Sequence, residues 1–146
     1  MEKSNFNKFQ NYNAIKLLRD MPHAFKVYFD EFGINWIKRM CLALQNSQPV
    51  LPLSDNDHGS FFYQFVKFHI GAFRKEDVLL LDKNLKEFCF LCGKIESLTD
   101  SWPIIEKEPI YEEKEKLLNY LQNLLEILPS ADQFQIWVES SLKSFT

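Results

Sequence analysis

The stretch HGSFFYQFVKFHIGAF, residues 58–73, constrains the fold more than any other part of the chain. Five of its sixteen residues are Phe. Its polar or small positions, continued by Arg74, are Ser60, Gln64, Lys67, Gly71 and Arg74, spaced 4, 3, 4 and 3. That spacing traces one stripe of an α-helix, whereas Phe61-Phe62-Tyr63 breaks the alternation a strand needs. Between the stripe positions lie Phe61, Phe62, Tyr63, Phe65, Val66, Phe68, Ile70 and Phe73. The expectation is a central core helix, wet on one narrow stripe and buried around the rest. SDND (54–57) supplies side-chain oxygens for its N-cap.

Glycine use points the same way. The 146 residues include only four Gly and no NG, DG or GG dipeptide. Tight hairpins and phosphate-cradling loops depend on such residues, so an all-β fold and a nucleotide-binding loop are both disfavoured. A chain of this length buries roughly 68–70% of the surface its unfolded form exposes and needs no covalent staple. The 15% aromatic content argues against disorder.

The remaining helices follow from apolar spacing. Phe6, Phe9, Ile15 and Leu18 predict a first amphipathic helix, interrupted at Asp20-Met21-Pro22. Pro22 then suits the first turn of a second helix carrying Phe25, Tyr28, Phe29 and Phe32, closed by Gly33 at C′. Asn35 caps a third helix with Trp36, Ile37, Met40, Cys41 and Leu44. NSQPVLP (46–52) reads as a loop. Val78, Leu81, Leu85, Phe88, Cys92 and Ile95 form a seam over about 76–98, either on one long helix or on a helix broken and capped at Asp82.

TDSWPIIEKEP (99–109) is a connector. Leu117, Leu118, Leu121, Leu124, Leu125 and Leu128 mark the clearest helix, with Glu112 and Glu113 in its first turn and Pro129 stopping it. SADQ (130–133) is a capping box, and Phe134, Trp137, Val138, Leu142 and Phe145 give the last helix its apolar face. Residues 1–146 thus read as a single globular all-α domain of about six or seven helices around a Phe-rich central helix.

Candidate chemistry is sparse. His23, His58 and His69 have no i, i+3 or i, i+4 spacing to one another, and no metal site is expected of them. Cys89 and Cys92 have the CxxC spacing, but they sit within the apolar seam and read as core residues. With the third cysteine, Cys41, they suggest reduced thiols and a cytoplasmic protein. The polar start MEKSNFNKFQNYN lacks the apolar core of a secretory signal, and no run is long enough to cross a membrane. No nucleophile, base and orienting group assemble into a recognisable set; an enzyme, a cofactor and a catalytic residue are not expected. Lys26, Lys38 and Arg39 are too few for a nucleic-acid footprint.

Charge is the one functional signal. Residues 1–75 carry ten Lys/Arg and six Asp/Glu, a balance of +4; residues 76–146 carry seven and fourteen, a balance of −7. EKEPIYEEKE (106–115) concentrates five Glu around Ile110 and Tyr111, shortly after Trp102. The expectation is a protein-binding module, an inhibitor such as a bacterial immunity protein or antitoxin that neutralises a basic, nuclease-like toxin. Its partner-binding residues would be Trp102, Glu106, Glu108, Tyr111, Glu112, Glu113 and Glu115. The alternative is a small enzyme or apolar-ligand binder with a pocket lined by Phe62, Phe65 and His69. A regulatory or scaffolding subunit that folds with an oligomer partner would instead expose a large apolar patch.

Overall fold

The computed structural model describes residues 13–46, 64–99 and 111–145. Six α-helices occur among them: α1 (Ala14–Tyr28), α2 (Glu31–Gln45), α3 (Lys75–Val78), α4 (Lys83–Thr99), α5 (Tyr111–Ile127) and α6 (Ala131–Leu142). A π-helical turn, Val66–Ile70, precedes α3, and a 3-10 turn, Lys143–Phe145, follows α6. The described residues contain no strand, and the all-α single domain is as expected.

Helix boundaries follow side-chain oxygens that accept the free N–H groups of a first turn. The Asn13 side chain accepts from Lys16 N–H at 3.1 Å and starts α1. Asp30 accepts from Gly33 N–H at 2.9 Å and starts α2. Asp82 Oδ1 accepts from Asn84 N–H at 2.9 Å at the head of α4. Ser130 Oγ accepts from Gln133 N–H at 3.1 Å at the head of α6, where the capping box was read.

Two of the expected boundaries are wrong. Pro22 does not divide two helices; it lies inside α1. Proline there removes the bond to the Leu18 carbonyl and costs about 3 kcal/mol. Leu18, Met21, Ala24 and Phe25 form one continuous buried face across it. Burying each large side chain contributes roughly 1.5–3 kcal/mol, so the face outweighs the proline. The helix therefore ends later, Asp30 rather than Asn35 caps its successor, and Gly33 is a buried first-turn residue of α2, not a C′ residue. The seam over 76–98 takes the broken form, with Asp82 as the cap.

The aromatic stretch also differs in detail. Phe61, Phe62 and Tyr63 lie outside the described residues. Gln64 and Phe65 are helical, and the chain then widens into the π turn, closed by Gly71 N–H donating to the Val66 carbonyl at 2.7 Å. A Cβ on Gly71 would stand 3.1 Å from the Lys67 carbonyl oxygen and 3.2 Å from that of Val66, so glycine suits this tight closure. Phe65, Val66 and Phe73 are buried as expected, but Phe68 is 62% exposed. Its position explains this: Phe68 is four residues after Gln64 and three before Gly71, on the polar stripe itself.

The core is a cluster of five phenylalanine rings drawn from four elements. Phe25 and Phe29 come from α1 and its C-cap, Phe65 from the start of the π turn, Phe88 from α4 and Phe134 from α6. Phe88 touches all four others, with ring centroids 5.9 Å from Phe25, 5.3 Å from Phe29, 6.3 Å from Phe65 and 5.5 Å from Phe134. All four contacts are edge-on or tilted, the arrangement ring quadrupoles favour. Accordingly α4 packs against α5, α6 and the π turn, and α1 packs against α6 and the π turn. The leucine face of α5, Leu117, Leu121 and Leu124, is fully buried between α4 and α2.

A polar joint fixes the head of α4 to α6. Asp82 N–H donates to Ser141 Oγ at 2.8 Å, Ser141 Oγ donates to the Trp137 carbonyl at 2.8 Å, and Ser140 Oγ donates to Asp82 Oδ2 at 3.0 Å. Ser141 is fully buried, and its hydroxyl is satisfied both as donor and as acceptor. Phe88→Ala should cost about 3–5 kcal/mol in denaturant unfolding, and the exposed Phe68→Ala no more than about 0.5 kcal/mol. Equal losses would mean that the ring cluster is not the core.

Candidate interaction surface

The acidic surface read from the sequence centres on the start of α5. Trp102, Glu106 and Glu108 lie outside the described residues. Tyr111 and Glu112 are the first two residues of the helix. Glu113 and Glu115 follow, and they do not share a face. Glu113 is four residues before the buried Leu117, on the seam side, and is half-buried; Glu115 is on the opposite side and exposed. Two carboxylates only two residues apart are therefore split by helical geometry.

The outer face of α5 carries a different set. Glu115, Asn119, Gln122 and Glu126 are all exposed and are spaced 4, 3 and 4, one stripe along the helix. Glu126 was not among the residues expected to bind a partner. Its signal lies in the register with Glu115, eleven residues or three turns away, rather than in the local charge density of 106–115.

The thiols are built into the core. Cys41 lies buried on α2, and Cys89 and Cys92 are buried on α4; all three are free. Burial pushes the Cys89 thiol up to about 12 and raises that of Cys92 as well, with Cys89 beside it adding to the effect. Cys41 is raised by burial as well. A thiol so displaced holds its proton at neutral pH and has little nucleophilic or metal-binding character. Among the described residues no three His, Cys, Asp or Glu groups are placed to hold a metal ion.

His69, in the π turn, is half-buried, with its ring 5.8 Å from Tyr28 and 5.7 Å from Phe65. Burial lowers its pKa from the ordinary value of 6.5, and the carboxylate of Asp20 opposes that in part. His58, expected on the same helix, is outside the described residues, as is Phe62 of the suggested pocket. Phe65, the third residue of that pocket, is fully buried among the rings of Tyr28, Phe29, Phe88 and His69. His23 is exposed on α1.

No helix among the described residues is long and apolar enough to cross a membrane. The lowered pKa of His69 has a sign that can be measured. The unfolded chain takes up this proton near pH 6.5 and the folded chain only at lower pH, so folding loses stability as the pH falls below about 6.5. His69→Gln should remove that component, and its unfolding free energy should fall less than that of the parent between neutral and mildly acid pH. Parallel pH curves would show that His69 titrates normally.

Comparison with family models, with curated proteins and with solved structures finds no match for this chain.

Proposed function

We propose that the chain is a non-enzymatic protein-binding module whose partner is a basic protein. The reading rests on one observation, the Glu-rich segment 106–115 that runs into α5 within the acidic part of the chain. Excess carboxylate on one part of a small domain speeds encounter with a cationic partner and selects against anionic ones. The exposed stripe of Glu115 and Glu126 continues that charge along the outer face of α5. The burial of Phe65 among four rings supports a binder over an apolar-ligand carrier.

In its specific form, the module is an inhibitor that covers the cationic cleft of its target, as an immunity protein or antitoxin does with a nuclease-like toxin. What supports this form is the chemistry of the charge. A cleft that binds nucleic acid is lined with Lys and Arg, and a carboxylate-rich helix face is its natural competitor.

Capture of the tagged chain from its own cell tests the proposal, with washes at low and high salt. One basic protein should be retained in equal amount at low salt and released near 1 M salt, where screening acts within about 3 Å. A variant carrying Glu112→Lys, Glu113→Lys and Glu115→Lys should lose that protein. Equal retention by the variant, or retention of a small molecule and no protein, would overturn the reading.

A further inference from the structure

Two exposed stripes of this molecule complement each other. On α4, Phe90 is 53% exposed, with the half-buried Lys86 four residues before it and the exposed Lys94 four residues after it on the same face. The Lys94 ammonium lies 5.5 Å from the centre of the Phe90 ring, and the Lys86 ammonium donates to the Leu79 carbonyl at 3.1 Å. On α6, Ile136 is 57% exposed, with Asp132 four residues before it and Glu139 three residues after it, both exposed. One stripe is an apolar centre between two cations, and the other is an apolar centre between two anions. Lys86 and Lys94 are about 12 Å apart along their helix, and Asp132 and Glu139 about 10 Å along theirs. Lys83 extends the cationic stripe, and Glu87 is the one carboxylate within it.

The two stripes also adjoin. The Asp82–Ser140–Ser141 joint holds the head of α4 against the end of α6, so Lys83 and Glu139 each sit one residue from its hydrogen bonds. Phe90, Lys94, Asp132, Ile136 and Glu139 are all exposed, so neither stripe covers the other within one molecule. A two-fold axis brings them together twice, α4 of each copy on α6 of the other, and so closes the assembly.

We propose that a second copy of this chain docks on the joined outer faces of α4 and α6, forming a symmetric dimer. Phe90 and Ile136 supply the apolar contact, and the four flanking charges set its register. The inference is independent of the acidic surface on α5 and of any other partner.

Sedimentation equilibrium of the full chain tests it, up to about 1 mM, the limit of weak specific association. The parent should dimerise, and more weakly at high salt. A variant with Lys86→Glu and Lys94→Glu should be monomeric, as should one with Asp132→Lys and Glu139→Lys, each with unchanged helicity by circular dichroism. In the two-fold arrangement an equal mixture of these variants restores both charge contacts, so the mixture should form a heterodimer. If either variant loses helicity, Phe90→Ala with Ile136→Ala provides the monomer instead. A parent that stays monomeric, reversed variants that dimerise like the parent, or a mixture that does not associate would each overturn the proposal.

Discussion

The ring of Phe88 is the contact on which the rest of the fold depends. It lies on α4 and meets rings from α1, the α1 C-cap, the π turn and α6. Elements far apart in sequence therefore share one apolar centre, and each loses a packing partner if that centre opens. A second contact strengthens the same core: Phe25 stacks on Phe134 with centroids 4.3 Å apart, joining the first described helix to the last. The widened π turn is acceptable in this setting because it places Phe65 among the same rings and is closed by Gly71.

The packing changes how the charge asymmetry should be understood. The basic and acidic halves of the sequence do not form two hemispheres. α1, with Lys16, Arg19 and Lys26, packs on α6, with Asp132 and Glu139; α2, with Lys38 and Arg39, packs on α5, with Glu113, Glu115 and Glu126. Charge segregated along the chain is interleaved in space. α4, in the middle of the acidic half, even presents a cationic stripe. A partner surface must therefore be sought helix by helix, on the exposed register of each, and not from the balance of a half.

Apolar periodicity made most of the architecture legible. Of the seam, Leu81, Leu85, Phe88, Cys92 and Ile95 are buried and Val78 is half-buried; on α5 Leu117, Leu121 and Leu124 are buried and Leu118, Leu125 and Leu128 half-buried; on the last helix Phe134, Trp137 and Val138 are buried and Leu142 and Phe145 half-buried. The two displaced boundaries share one physical cause: the buried face of a long helix outweighs a local helix-ending residue. Pro22 and Gly33 break or end helices when nothing larger opposes them, and here Leu18, Met21 and Phe25 on one side and the Asp30 cap on the other do oppose them. The exposure of Phe68 accords with its spacing to Gln64 and Gly71, a signal that the surrounding aromatic residues mask in the sequence. The joint at Ser141 was not legible, because a serine in an apolar face gives no sign of an N–H donor 59 residues earlier. The expected binding residues were legible only as charge, and the helical register then separated Glu113 from Glu115.

The central claim is that the five rings make α1, the π turn, α4 and α6 one cooperative unit. Native-state hydrogen exchange measures this directly. The slowest amides of these four elements should exchange with one common free energy, equal to that of global unfolding, and should shift together with denaturant. Separate exchange of α1 or α6 through a partial opening several kcal/mol below the global value would contradict the account.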